Sequence, residues 1–261
     1  MLAMRVLTTA EEMAPCEPLQ MATWAMPDAG DVVPVHQLLT AAKYGGLVLG
    51  AFDGETLVGL SYAFVGLYGG RPLLCSHMLA VLPAWRGQGV GHALKVEQRR
   101  LAVERGFDLI HWTYDPLELP NATLNIRKLG GVASTYVRDL YGPMRDGLNA
   151  GLPSDRLVVA WHLASPRVAH ALERGRAPQP ALDDCLPFTA GDSLPADGTP
   201  LAVTLPENFQ QVKRVDPAGA MRWRLAVREA LESAFAAGYA ITGYQGAHYI
   251  LTRGEASGHA G

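Results

Sequence analysis

The stretch WRGQGVGHAL, residues 85–94, constrains this chain more than any other. Glycines stand at 87, 89 and 91, between an arginine and the opening of an apolar helical pattern. Glycine in a helix interior costs about 1 kcal/mol relative to alanine, so a segment selected only to be helical would not carry three. Glycine belongs where backbone approaches a ligand closely or turns through positive φ. Unpaired amides at a helix start carry partial positive charge and hold anions, and Arg86 can add a charge-assisted bond. Three phosphate-binding designs can be compared. A Walker loop ends in Gly-Lys-Ser/Thr, which is absent. A dinucleotide fingerprint needs G-x-G-x-x-G, whereas the spacing here is G-x-G-x-G. The third, R-x-x-G-x-G joining a strand to a long helix, is met by Arg86, Gly87, Gln88, Gly89, Val90 and Gly91. The bland alternative is a glycine turn that packs a helix closely on a sheet.

Composition narrows the partners. The 261 residues are 49% hydrophobic with a net charge of −3, enough apolar material for a sizeable core. So small a charge gives no electrostatic reason to expect nucleic acid or an anionic membrane as partner. Cys16, Cys75 and Cys185 are widely separated and odd in number, which fits neither a metal site nor a disulfide framework. No metal is expected. No signal-peptide pattern opens the chain and no apolar run reaches membrane-span length, so a cytoplasmic soluble protein is expected.

Along the chain, residues 5–8 read as a strand, and 8–26 as a helix capped by threonine and interrupted by Pro15 and Pro18. PVHQLLTAAKYG reads as a second helix with proline first and glycine last. Residues 46–82 form three strand-like runs with glycine turns at 53–54 and 69–70, an antiparallel meander. After Pro83, Val90, Ala93, Leu94 and Leu101 share one helical face that ends at Gly106. DLIHWTY is a strand, so residues 73–82 and 108–114 must be joined by a parallel crossover. NATLNIRKLGG reads as a short helix, and VASTYVRDLYG and DRLVVAWHL as strands. SPRVAHALERGR reads as a helix, and 177–200 as a Pro/Gly-rich linker. The tail offers a strand at LAVTLP, a helix over 216–238 and strands at YAITGY and HYILTR.

SHMLAVLPAWRGQGVGHAL, DLIHWTY and the helix ending IRKLGG together resemble the GNAT superfamily of acyl-CoA N-acyltransferases, over about residues 5 to 163. The resemblance implies an α/β (α+β) class: a GNAT fold with a mixed antiparallel/parallel central sheet flanked by helices. The expected division is a GNAT domain over 1–165, a helix and linker over 166–200, and a C-terminal helix-and-strand extension over 201–261. DPL, NATLN, KLGG, GLPSDRLVVAWHL and MRWRLAVRE are similar to a bacterial branch of GNAT enzymes, some relatives of which are associated with N-succinylation of amino acids. The co-substrate implied is acetyl-CoA or another acyl-CoA. The partner is a small-molecule amine, and a homodimer is left open.

Acyl transfer from a thioester to an amine needs a neutral amine, oxyanion stabilisation and a proton for the departing thiolate. The resemblance gives the backbone of Leu79 and Val81 to the pantetheine arm, and residues 86–91 to the diphosphate. His77 is the candidate base. It stands four residues before Val81, on the same face if the strand is regular, and an unperturbed histidine titrates near 6.5. A core histidine bonded to a carbonyl is the alternative. Many GNAT members carry a tyrosine acid in the IRKLGG frame. Here its slot is Ile126 and the following phenylalanine slot is Gly131. Tyr114, Tyr136 or water are the substitutes, and the vacancy motivates a second reading as a non-catalytic acyl-CoA sensor. Asn121 and Asn125 share a helical face and are candidates for the pantetheine amides, or else a cap and a solvated side chain. Arg224 and Arg228 could clamp a carboxylate, or form a solvated basic face.

Overall fold

The computed structural model describes residues 2–26, 28–144, 146–147 and 149–254. Contacts divide the chain into two compact units: residues 1–112 with 144–150, and residues 113–143 with 151–261. The boundaries expected at 165 and 200 are not where these units divide.

The first unit opens with β1 (Ala3–Val6) and a capped helix, α1 (Ala10–Met13). Thr9 accepts from the Glu12 amide at 3.2 Å while the Glu12 carboxylate accepts from the Thr9 amide at 3.0 Å, a reciprocal cap. Pro15 ends α1 and starts α2 (Cys16–Trp24), and Pro34 starts α3 (Val35–Lys43). The meander follows as β2 (Leu47–Asp53), β3 (Thr56–Tyr68) and β4 (Arg71–Val81). A 3-10 turn, Pro83–Trp85, leads to α4 (Val90–Glu104), and β5 (Leu109–Tyr114) returns parallel to β4. The order β1-β2-β3-β4-β5 is antiparallel up to β4 and parallel at the last step. The expected mixed sheet is observed.

Two apolar layers cover this sheet. Met13, Leu19 and Leu38 of α1–α3 cluster with Leu60, Tyr62, Met78 and Ala80 of the sheet, and Val90 and Leu94 of α4 cluster with Leu49, Ala51 and Val58. Gly59 sets the seat of α4. A Cβ there would lie 3.0 Å from both Val90 Cγ1 and Leu94 Cδ1, so its absence lets the first turns of α4 approach the sheet.

The second unit contains α5 (Leu119–Ala122), continued by a π-helical segment (Thr123–Lys128), and β6 (Val132–Val137). β7 (Arg156–His162), α6 (Pro166–Arg174), β8 (Leu186–Pro187) and β9 (Leu201–Thr204) follow. α7 (Phe209–Val215), α8 (Pro217–Ala236), β10 (Tyr239–Gln245) and β11 (His248–Arg253) complete it. The strand order is β7-β6-β10-β11-β9-β8. The stretch read as a linker is packed: β8 pairs with β9 and Phe188 is buried. Arg224 and Arg228 form neither a solvated face nor a free clamp. Arg224 grips Asp115 at 2.8 and 2.5 Å, and Arg228 grips Asp155 at 2.8 and 2.9 Å. Among the described residues no helix is long and apolar enough to cross a membrane.

Candidate active site

The glycine loop has the conformation its composition demands. Gly87 and Gly89 take φ of 76° and 82°, the left-handed region, with open space where a Cβ would stand. Gly89 is the N-cap of α4 and has no side chain to satisfy the helix's leading amides. Those first amides have no intrahelical acceptor, so α4 presents an uncapped, partially positive end. Gln88 turns away, donating to the Ala84 carbonyl at 2.9 Å. Arg86 donates to the Val81 carbonyl at 3.3 Å and to the Thr23 carbonyl at 2.6 Å. Its fork thus ties the end of β4 to the end of α2 beside the loop.

β4 supplies a free edge leading to this loop. Among the described residues its register with β5 covers only Leu74↔Ile110 and Cys75↔His111. The Leu82 amide donates to Val58 of β3 at 3.0 Å. Antiparallel strands alternate the direction of their polar groups, so Met78 and Ala80 face β3 while Leu79 and Val81 turn their backbone groups to the other edge. Their side chains pack on the α4 layer.

His77 lies on the other face. Ser76 and His77 together stand opposite the single Ala63 of β3, because Tyr62 pairs with Met78 and Phe64 with Cys75. This bulge re-aims the side chain. Its ring lies 5.8 Å from that of Tyr62 and 6.0 Å from that of Phe64, on the α1–α3 side of the sheet. The reading that His77 and Val81 share a face is therefore corrected: the bulge removes the strict period of two. His77 remains exposed. Desolvation by burial lowers its pKa from the ordinary 6.5, which favours the neutral imidazole, the form able to accept a proton.

A buried polar cluster that period reading missed lies between α4 and the sheet. Lys95 and Gln98 occupy the buried face of α4 and bond Ser76 and Ser61. The signal was present: Gln98 falls at the four-residue step after Val90 and Leu94, where an apolar residue belongs.

The remaining candidates lie in the second unit. Asn121 is exposed within α5, whose N-cap is Glu118, and Asn125 is buried in the π-helical segment rather than solvated. Ile126 is fully buried. At Gly131 a Cβ would lie 2.5 Å from Val159 Cγ1, so no phenylalanine fits that slot. Neither substitute tyrosine is a free acid. Tyr114 shares a 3.0 Å hydrogen bond with Tyr249, and burial raises its pKa. Tyr136 donates to Asp155 at 2.7 Å, and burial and that carboxylate raise its pKa. The three cysteines are free thiols whose pKa values burial raises, which disfavours thiolate chemistry. Among the described residues no group of three or more His, Cys, Asp or Glu could hold a metal ion.

Solved structures share this architecture. The ribosomal-protein-S18-alanine N-acetyltransferase from Escherichia coli is 16% identical, with a TM-score of 0.50 over 63% of this chain and 96% of that one. A GNAT-family acetyltransferase described as putative, from Desulfovibrio desulfuricans, matches at 16% identity and a TM-score of 0.50, over 63% of this chain and all of that one. The fold is the GNAT fold. A third structure, described as a putative acetyltransferase from Salmonella typhimurium with its cofactor acetyl-CoA, is 14% identical with a TM-score of 0.50, over 63% of this chain and 95% of that one. No protein-family model and no curated protein matches the chain. At these identities the likeness is one of fold.

Proposed function

We propose that this protein is an acyl-CoA-dependent N-acyltransferase that moves an acetyl or succinyl-type group to a small amine, an amino acid among the candidates. The observation that carries the reading is the uncapped start of α4, entered through left-handed Gly87 and Gly89 at the end of β4's free edge. A diphosphate suits the helix end. The amide groups of a pantetheine arm suit the outward backbone of Leu79 and the outward amide of Val81, whose carbonyl accepts from Arg86. His77 takes a proton from the acceptor ammonium, directly or through water. Three free thiols agree with a reducing compartment such as the cytoplasm.

Calorimetric titration with acetyl-CoA and succinyl-CoA, followed by thiol release against a panel of amines, tests the proposal. Binding with turnover of at least one pair supports it, and absence of binding refutes it. The buried Ile126 and the engaged Tyr114 and Tyr136 favour one competing reading, an acyl-CoA sensor. Tight binding with no turnover across the panel would select that one.

A further inference from the structure

A lysine is an expensive choice for the buried face of α4. Lys95 is only 2% exposed and Gln98 is fully buried. Lys95 Nζ donates to Ser76 Oγ at 3.0 Å and to Gln98 Oε1 at 2.8 Å, and lies 3.6 Å from the centre of the Trp112 ring. Gln98 Nε2 in turn donates to Ser61 Oγ at 2.9 Å. Burial pushes the Lys95 ammonium well below the usual lysine range. A leucine would fill the same layer with no desolvation penalty, so packing alone does not account for the amine.

Its location does. Among the described residues, Cys75 and His111 are the last that β4 and β5 pair with each other. Ser76 and Trp112 come next on each strand, so Lys95 lies beneath the point where the strands' pairing stops. Ser76 is also half of the β4 bulge. Its hydroxyl accepts from Lys95 and keeps its own hydrogen to donate. Among the described residues the titratable groups nearest in sequence on the strands are Cys75, His77, His111 and Tyr62. Tyr62 and His77 belong to the opposite face, and strand alternation turns Cys75 and His111 the same way. On α4 itself His92 and Arg99 lie one turn to either side.

We propose that Ser76 is the catalytic proton donor to the departing thiolate, with Lys95 as the positioning residue that charges it. The inference rests on the acyltransferase reading above. When the tetrahedral adduct collapses, the carbon–sulfur bond breaks and its electron pair stays on sulfur. The Ser76 proton passes to sulfur, and a Lys95 proton passes to Ser76 Oγ. The proton lost by the acceptor nitrogen returns through solvent to Lys95, so the sum moves one proton from nitrogen to sulfur. An ammonium made more acidic by burial is matched to that task.

The test compares wild type with Lys95→Met and Ser76→Ala, each first shown to melt cooperatively. Thiolate absorbance of bound coenzyme A is followed against pH, and affinity for desulfo-coenzyme A, which lacks the sulfur, is measured alongside. In the wild type the bound thiol should titrate about one pH unit below free coenzyme A. Both variants should abolish that displacement while binding desulfo-coenzyme A within twofold of wild type. Thiol release should fall about 100-fold in kcat with little change in KM. A bound wild-type thiol that titrates like the free one overturns the inference, as does an unchanged titration in both variants. Failure of the wild type to bind coenzyme A and desulfo-coenzyme A alike refutes the acyltransferase reading instead.

Discussion

At the scale of single residues, desolvation decides what His77 and Lys95 can do. Desolvation by burial lowers the His77 pKa, so the acid limb of kcat/KM should fall below pH 6.5. His77→Gln should remove that limb and lower kcat about 100-fold. A variant profile that superimposes on the wild type would exclude His77 from proton transfer. Lys95 makes a separate prediction about stability. Burial lowers its pKa in the folded state, so between that value and the unfolded 10.5 the unfolded chain binds more protons. Stability therefore rises with pH across that window, and the penalty is fully present below it. Lys95→Met lacks this slope. In urea titrations its stability relative to wild type should grow as pH falls from 10 towards 7, and a constant difference would contradict the burial argument. Of these two residues only His77 was legible in the sequence, because a histidine beside a strand end suggests chemistry in any environment. Lys95 reads as an outward helical residue unless the tertiary layer beneath it is known.

At the scale of elements, the position of α4 depends on what β3 omits. Gly59 faces Val90 and Leu94 at 3.0 Å from where its Cβ would be, so Gly59→Val must push the start of α4 outward. Overpacking of this kind costs about 1–3 kcal/mol, and the displaced helix end should weaken acyl-CoA binding beyond what the stability loss explains. Unchanged affinity in the folded variant would detach α4's seat from the site. Gly89→Ala tests the backbone separately. Its φ of 82° with open surroundings predicts a strain of about 1–2 kcal/mol and no steric clash. Strand and helix limits were largely legible here, since glycine, proline and a Thr9–Glu12 cap punctuate them. The β4 bulge was not. Alternation along one strand carries no information about an extra residue opposite its neighbour, and that residue moved His77 to the other face.

At the scale of the whole molecule, composition misled where packing decided. The proline and glycine of residues 177–200 report backbone conformation, yet Phe188 there is buried and β8 pairs with β9. Binding offers the corresponding prediction for function. A ligand held only by the folded chain stabilises it by mass action, about 2.7 kcal/mol at one hundred times Kd. For a chain of this size that corresponds to a rise in Tm of about 5 to 10 °C. The loop amides and β4's outward groups serve different parts of the ligand, so the parts should contribute separately. Acyl-CoA should give the full rise, and an acyl-pantetheine lacking the diphosphate should give much less at the same concentration. Hydrogen exchange should slow chiefly over residues 76–94, where the free strand edge meets the uncapped helix. If the two ligands raise Tm equally, the glycine loop holds no diphosphate, and the conformations of Gly87 and Gly89 serve only the packing of α4.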